Sequence, residues 1–211
     1  QDAVFARAVR FLLERSDAVT AVSRFLADRV PAWFAPCPPV HVVPDFVDIR
    51  RFVPVAPRGP VVVHVSNFRA VKRSADAVRA FYLLRRRREA ELVLVGDGPG
   101  QAEIRELAAR LGVAADVRFV GEDPDVARHL SGAALLLSTS EFEGFGMSVL
   151  EAMACAVPVV TTDSGGVREV VDEACARVAG VGDVEALAGL ADGILGDPEA
   201  ARRACSDDVR Q

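Results

Sequence analysis

The feature that most constrains this chain is the alternation, from Pro60 onward, of short Val- and Leu-rich runs with stretches of helical length. The runs are VVVHV (61–65), ELVLV (91–95), DVRFV (116–120), AALLL (133–137) and PVVTT (158–162). Short, largely apolar runs of this kind suit strands covered on both faces better than strands with one wet side. Between them, segments 74–87, 101–111 and 147–155 carry helical periodicity. Repeated βα units predict an α/β fold, a Rossmann-like parallel sheet with helices on both faces. Such a sheet takes ligands beyond the C-terminal ends of its strands, where this sequence concentrates Gly and Asp.

The first 43 residues read differently: helix (4–15), strand (18–22), helix (23–34), strand (40–43). Two strands are too few for a separate core, so residues 1–43 are expected to be the tail of a second, N-terminal Rossmann-like domain. Residues 44–59 carry Pro44, Pro54 and Pro57 just ahead of Pro60, the composition of an extended interdomain linker. Residues 60–211 then form the main domain. A last helix starts at Pro198 behind a plausible Asp197 cap and meets no stop signal before Gln211, which predicts truncation at that end.

Charge and cysteine content narrow the chemistry. A net charge of −5 disfavours nucleic acid and anionic membrane as partners. No apolar run approaches the roughly 20 residues of a membrane span, and the first ten residues lack a signal-peptide core, so the sequence reads as cytoplasmic. Its composition leaves homo-oligomerisation open. Cys37, Cys155, Cys175 and Cys205 are far apart, and His41, His64 and His129 fall at no zinc-ligand spacing. All four cysteines are expected to be structural thiols, and no metal site is expected. Of 25 basic side chains, 24 are Arg; the single lysine is Lys72. The Arg run at 85–88 closes a predicted helix and is expected to be a solvated end favoured by the helix dipole.

The most specific motif is STSEFEGFGMSVLEAMAC (138–155), with Glu143 and Glu151 eight positions apart. Gly144 and Gly146 keep Glu143 off the helix and allow close approach to the backbone at Phe145, Gly146 and Met147. Free amides at that helix start can hold a phosphate. Glu151, about five residues in, lies roughly 7 Å along the axis, which suits a ribose one pyrophosphate away. Glu143 would instead reach a hydroxyl of a donor sugar. The second constellation, SNFRAVKR (66–73), follows VVVHV directly and sets Asn67, Arg69 and Lys72 where an anion would bind. Two cations beside a departing diphosphate stabilise the transition state more than the bound substrate.

Two weaker patterns are set aside. GDGPG (96–100) is not GxGxxG, and Pro99 makes it a tight strand-to-helix turn rather than a dinucleotide site. Asp123-Pro124-Asp125 mimics a metal-binding DxD but reads as a helix N-cap with Pro in the first turn.

Together the two motifs resemble the family 4 retaining glycosyltransferases of the two-Rossmann-domain (GT-B) type, whose E-x7-E pattern corresponds to Glu143 and Glu151. SDAVTAVS (16–23), VVPDFVD (42–48), HVSNFRAVKR (64–73) and LVLVGDGP (92–99) extend the resemblance over nearly the whole chain. It implies metal-independent, cofactor-free transfer from a UDP-sugar. HVSNFRAVKR is most similar to the subgroup that moves N-acetylglucosamine to the hydroxyl of a small hydroxy-acid acceptor, L-malate, at the opening of bacillithiol synthesis. By resemblance Arg69 and Lys72 carry the pyrophosphate, Glu143 the sugar, Glu151 the ribose, and the backbone at Val120 and Gly121 the uracil. The sequence departs from that subgroup in reading EGFGM at 143–147 and CAVP at 155–158. The N-terminal domain that would carry the acceptor pocket is represented only by its tail, so this chain alone is expected not to catalyse transfer.

Overall fold

The computed structural model describes residues 3–208. Its main unit is a six-stranded, all-parallel sheet built from β3 (Val61–Val65), β4 (Glu91–Val95), β5 (Val117–Gly121), β6 (Leu135–Ser138), β7 (Val159–Thr162) and β8 (Ala176–Ala179). The spatial order is β5-β4-β3-β6-β7-β8. Every predicted strand of this unit is present within two residues of its expected bounds.

Alternation along the strands creates two cores. Val62, Leu92, Leu94, Leu135 and Leu137 face α3 (Ser74–Arg85), α4 (Gln101–Arg110) and α7 (Val184–Gly196). Val63, Val93, Val95, Leu136 and Val159 face the other way, toward α5 (Ala127–Leu130) and α6 (Met147–Ala154). Burying each Val or Leu contributes about 1.5–3 kcal/mol against leaving it in water, which is why near-continuous apolar runs specify central strands.

The strand order places the ligand end. Chain progression runs outward from β3 through β4 to β5, then returns to the other side of β3 with β6. The two loops leaving β3 and β6 therefore diverge to opposite faces and leave a crevice between them, the topological switch point of an open parallel sheet.

The N-terminal piece comprises α1 (Ala3–Leu13), β1 (Val19–Ala21), α2 (Arg24–Phe34) and β2 (Val40–Val42), with β1 and β2 paired in parallel as a separate two-stranded sheet. From residue 4 to 43 only Ala21 and Ser23 are buried, so this piece has no core of its own. Phe5, Phe11, Leu12 and Trp33 are exposed. The Pro-rich stretch 44–59 is mostly exposed, but Phe52 and Val47 pack into the second core, so it is seated rather than free.

Several expectations are corrected. Cys175 and Cys205 form a disulfide, leaving only Cys37 and Cys155 as free thiols. Their separation of 30 residues gave no hint, because the contact depends on α8 (Pro198–Asp208) packing back beside the residue before β8. Arg202 anchors that helix by donating to the carbonyls of Ser131, Ala133, Val55 and Cys155. Asp197 caps α8 through the Ala200 amide, as expected; the expected run to Gln211 lies outside the described residues. The 85–88 arginines are not simply solvated: Arg85 pairs with Asp116, and Arg87 and Arg88 pair with Asp192 of α7. Asp123 does not cap α5, which starts later, at Ala127. Its carboxylate accepts the Asp125 amide and pairs with Arg128 and His129.

Candidate functional site

A cavity of about 710 Å³ opens at the switch point, between the loops after β3 and β6, the β5–α5 connection and the start of α6. Of the residues singled out from sequence, it is lined by Asn67, Lys72, Glu143, Phe145, Gly146, Met147 and Glu151. Arg69 is exposed and does not line it, nor do Val120 and Gly121.

Lys72 closes a 3₁₀ turn (Ala70–Lys72) between two residues with left-handed backbone, Phe68 at φ 47° and Arg73 at φ 47°. Its Nζ lies 2.7 Å from Glu143 Oε1, and the Ser140 hydroxyl donates to the same oxygen at 2.6 Å. Glu143 Oε2 has no partner among the described residues and keeps its lone pairs for a ligand hydroxyl. Lys72 has three donors, so it can hold Glu143 and an anion at once.

Backbone bonds fix the Glu143 loop. Its amide donates to the Ser164 carbonyl at 2.7 Å and its carbonyl accepts the Gly166 amide at 2.9 Å. The Thr139 hydroxyl lies within 3.1 Å of the carbonyls of both Lys72 and Arg73, tying the two loops together. Gly146, at φ 105°, starts α6 without a side-chain cap. The amides of Met147 and Ser148 accordingly have no acceptor among the described residues, the arrangement that holds a phosphate at a helix N-terminus.

Glu151 projects from α6 into the same cavity. Burial raises its pKa, and the Arg51 charge partly opposes that. Among the described residues, six carboxylates line the cavity, Asp45, Asp97, Glu122, Asp123, Glu143 and Glu151, against Lys72 as the one lining cation. Such a wall suits a ligand rich in hydroxyl donors whose negative charge is confined to one end.

Sequence reasoning missed part of this wall. GDGPG serves as the expected tight turn, yet Gly96 and Asp97 also line the cavity. A Cβ on Gly96 would stand 1.9 Å from the Ser66 carbonyl oxygen, and one on Gly98 would stand 1.8 Å from that of Asn67. These glycines let the loop after β4 lie directly on the loop after β3. The Gly121 carbonyl accepts the Gly96 amide at 2.7 Å, so Gly121 knits strand ends while Glu122, Asp123 and Pro124 form the wall. The VVPDFVD motif held a usable signal for Asp45. Among the described residues, no group of three or more His, Cys, Asp or Glu is placed to hold a metal ion. No helix among them is long and apolar enough to cross a membrane.

The N-terminal piece also reaches the site. Val22 lines the cavity, and the Ser23 hydroxyl donates to the Gly144 carbonyl at 2.6 Å. Glu169 accepts the Arg24 and Phe25 amides at 2.9 and 2.7 Å, capping α2 from the opposite unit. The Phe25 ring fills the space a side chain at Gly165 would need.

Known proteins share this architecture. Residues 45–210 match the family of glycosyl transferases group 1. The chain is 36% identical over 203 residues to N-acetyl-alpha-D-glucosaminyl L-malate synthase of Bacillus anthracis, covering 90% of this chain and 53% of the relative. It is 33% identical to a GDP-mannose-dependent alpha-(1-6)-phosphatidylinositol monomannoside mannosyltransferase of Mycolicibacterium smegmatis, covering 92% of this chain and 57% of that one. The chain thus spans about half the length of these curated relatives. Among solved structures, Anabaena HepE in complex with UDP and glucose superposes with a TM-score of 0.87 at 22% identity, over 98% of this chain and 61% of that one. Sucrose-phosphate synthase from Thermosynechococcus elongatus gives 0.83 at 25% identity, over 98% and 58%. With a family match across most of its length, relatives of this identity and the same fold, this chain belongs to the group 1 glycosyl transferases.

Proposed function

We propose that this chain is the nucleotide-sugar half of a retaining, metal-independent and cofactor-free transferase. In this reading it moves N-acetylglucosamine from its uridine diphosphate to the hydroxyl of L-malate, the opening step of bacillithiol synthesis in the cytoplasm. Residues 60–211 would be the donor domain, 44–59 the interdomain linker and 1–43 the end of the acceptor domain. The observation that carries the reading is the Lys72–Glu143 pair set beside the uncapped start of α6, at the switch point of the sheet.

The diphosphate lies across the Met147 and Ser148 amides with Lys72 at its flank. As the glycosidic bond breaks, negative charge grows on the leaving diphosphate. A unit-charge contact at about 4 Å is worth roughly 4 kcal/mol at an effective dielectric of 20, before desolvation is subtracted. Only the part of that attraction which strengthens with developing charge accelerates the reaction. Glu143 holds a sugar hydroxyl through Oε2, and Glu151 accepts the ribose hydroxyls. Arg69 joins the phosphates by swinging in from its exposed position, and the base stacks near the Gly121–Pro124 turn.

Incubating the longer parent protein with L-malate and UDP-N-acetylglucosamine, and following product by mass spectrometry, tests both substrates. A malate glycoside is the expected result. The 33% identity to a GDP-mannose-dependent relative over 92% of the chain favours one second reading, transfer of another sugar to an inositol-type acceptor. GDP binding in preference to UDP, with no malate product, would select it. Residues 1–211, which span about half the length of these relatives, are expected by themselves to bind nucleotide without transferring sugar.

A further inference from the structure

The loop that carries Asn67 and Lys72 leaves β3 immediately after a buried histidine. His64 is 2% exposed, with Nδ1 2.8 Å from the Leu137 carbonyl oxygen of β6 and Nε2 2.9 Å from the Ser74 hydroxyl. A carbonyl oxygen only accepts, so Nδ1 bears the proton. Burial drives the ring toward its neutral form, holding its pKa down near 4. Nε2 is then an acceptor, and the Ser74 hydroxyl must donate to it.

That commitment propagates. With its one proton used, Ser74 can only accept from the Ser66 hydroxyl, 3.1 Å away. Ser66 Oγ in turn accepts the Phe68 amide at 3.0 Å. Four hydrogen bonds therefore run in one direction, from the Phe68 amide through Ser66, Ser74 and His64 to Leu137. Ser66, Phe68 and Ser74 are all buried as well, so water cannot replace a missing link at little cost. The chain ends on Phe68, whose left-handed backbone is uncommon for a residue other than Gly and needs local support.

We propose that His64 is a positioning residue for the nucleotide-sugar cleft: through Ser74 and Ser66 it holds the Phe68 turn, and with it the placement of Asn67 and Lys72 on the cavity wall. This rests on the reading of the cavity as the UDP-sugar site. His64 does not itself line that cavity, and the Gly96 and Gly98 contacts seat the same loop from the other side.

Two amide substitutions separate the relay from ordinary packing. In His64→Asn the side-chain amide can still donate to Leu137 but offers Ser74 nothing. In His64→Gln the side-chain oxygen can reach Ser74 and keep the direction of the chain. Phe68 amide hydrogen exchange in the ligand-free chain and UDP affinity by calorimetry are the readouts. His64→Asn is expected to speed Phe68 exchange and weaken UDP binding, each about tenfold for one lost hydrogen bond. His64→Gln should stay within about threefold of wild type on both. Ser66→Ala should reproduce His64→Asn, and the double variant should be no worse than either single one.

Unchanged Phe68 exchange in both His64→Asn and Ser66→Ala, or fully additive losses, overturns the proposal. If His64→Asn does not fold, Ser66→Ala against the Ser66→Thr rescue, which keeps the hydroxyl, decides it by the same two readouts. A wild-type chain that fails to bind UDP while Phe68 exchange follows the expected pattern overturns the nucleotide-sugar reading and supports the positioning of the loop.

Discussion

Neutralising Glu143 and removing Lys72 should move nucleotide affinity in opposite directions, although the two side chains are bonded to each other. The Lys72 side chain is about three-quarters buried and its Nζ is 2.7 Å from Glu143 Oε1, so each charge is felt at the anion site through little water. Lys72→Met deletes a charge-assisted hydrogen bond to the diphosphate, a loss of about 1.5–3 kcal/mol, or roughly 10- to 150-fold in the dissociation constant for UDP. Glu143→Gln keeps an oxygen for Lys72 and Ser140 and removes only the negative charge. A carboxylate about 6 Å from a phosphate charge repels it by on the order of 2–3 kcal/mol at an effective dielectric of 20, and the nearby ammonium cancels most of that. The net expectation is UDP binding tightened by about 1 kcal/mol, some fivefold, while transfer by the longer parent falls because the sugar hydroxyl loses a charged acceptor. Calorimetric titration of both variants with UDP, in parallel at one salt concentration, is the assay. If Glu143→Gln weakens UDP as much as Lys72→Met, the two side chains do not divide the ligand into an anionic end and a hydroxylated end, and the reasoning fails.

The buried, neutral His64 should make stability depend on pH. Its folded pKa near 4 lies below the unfolded value of 6.5, so the unfolded chain binds the extra proton first and stability is lost as pH falls from about 6.5 to about 4, by up to about 3 kcal/mol. Urea midpoints across that range should show the slope, and His64→Gln should flatten it. Reducing Cys175–Cys205, which closes a 30-residue separation, should cost about 3–4 kcal/mol by the loop-entropy model, read as a lower urea midpoint with reductant and no such change in Cys205→Ser. Glu169→Ala removes the cap that α2 receives across the cleft and should speed exchange of the Arg24 and Phe25 amides, with a stability loss of about 1 kcal/mol. Equal exchange in wild type and variant would show that α2 is seated by Phe25 and Ser23 alone.

The sheet was legible because burial on both faces leaves a mark in the sequence: β3, β4 and β6 are apolar nearly throughout. β8 was missed because its sequence, Ala-Arg-Val-Ala, is short and sits at an edge where Arg177 can reach solvent. α7 was missed for a related reason, since Gly189, Gly193 and Gly196 weaken a helix that packing against α3 and the sheet then rescues. The site was half legible for a topological reason. Residues after a strand belong at the ligand end, which placed Lys72, Glu143 and the start of α6. Nothing in a 71-residue separation says that β3 and β6 are neighbours, so the Lys72–Glu143 contact could not be read. Arg69 was grouped with Lys72 by chain proximity, but the left-handed turn at Phe68 and the 3₁₀ turn after it carry Lys72 inward and leave Arg69 exposed.

The one lysine among 25 basic side chains acquires a physical reason from this geometry. Glu143 Oε1 already accepts from Ser140, so a cation here must bond a single shared oxygen and still face the cavity. A guanidinium presents a flat fork that matches both oxygens of a carboxylate, and would tend to occupy Oε2 as well. An ammonium is compact, satisfies Oε1 with one donor and turns the others toward an anion, leaving Oε2 for a hydroxyl. In a chain that uses arginine at its other 24 basic positions, the exception falls where a bidentate partner would close the site.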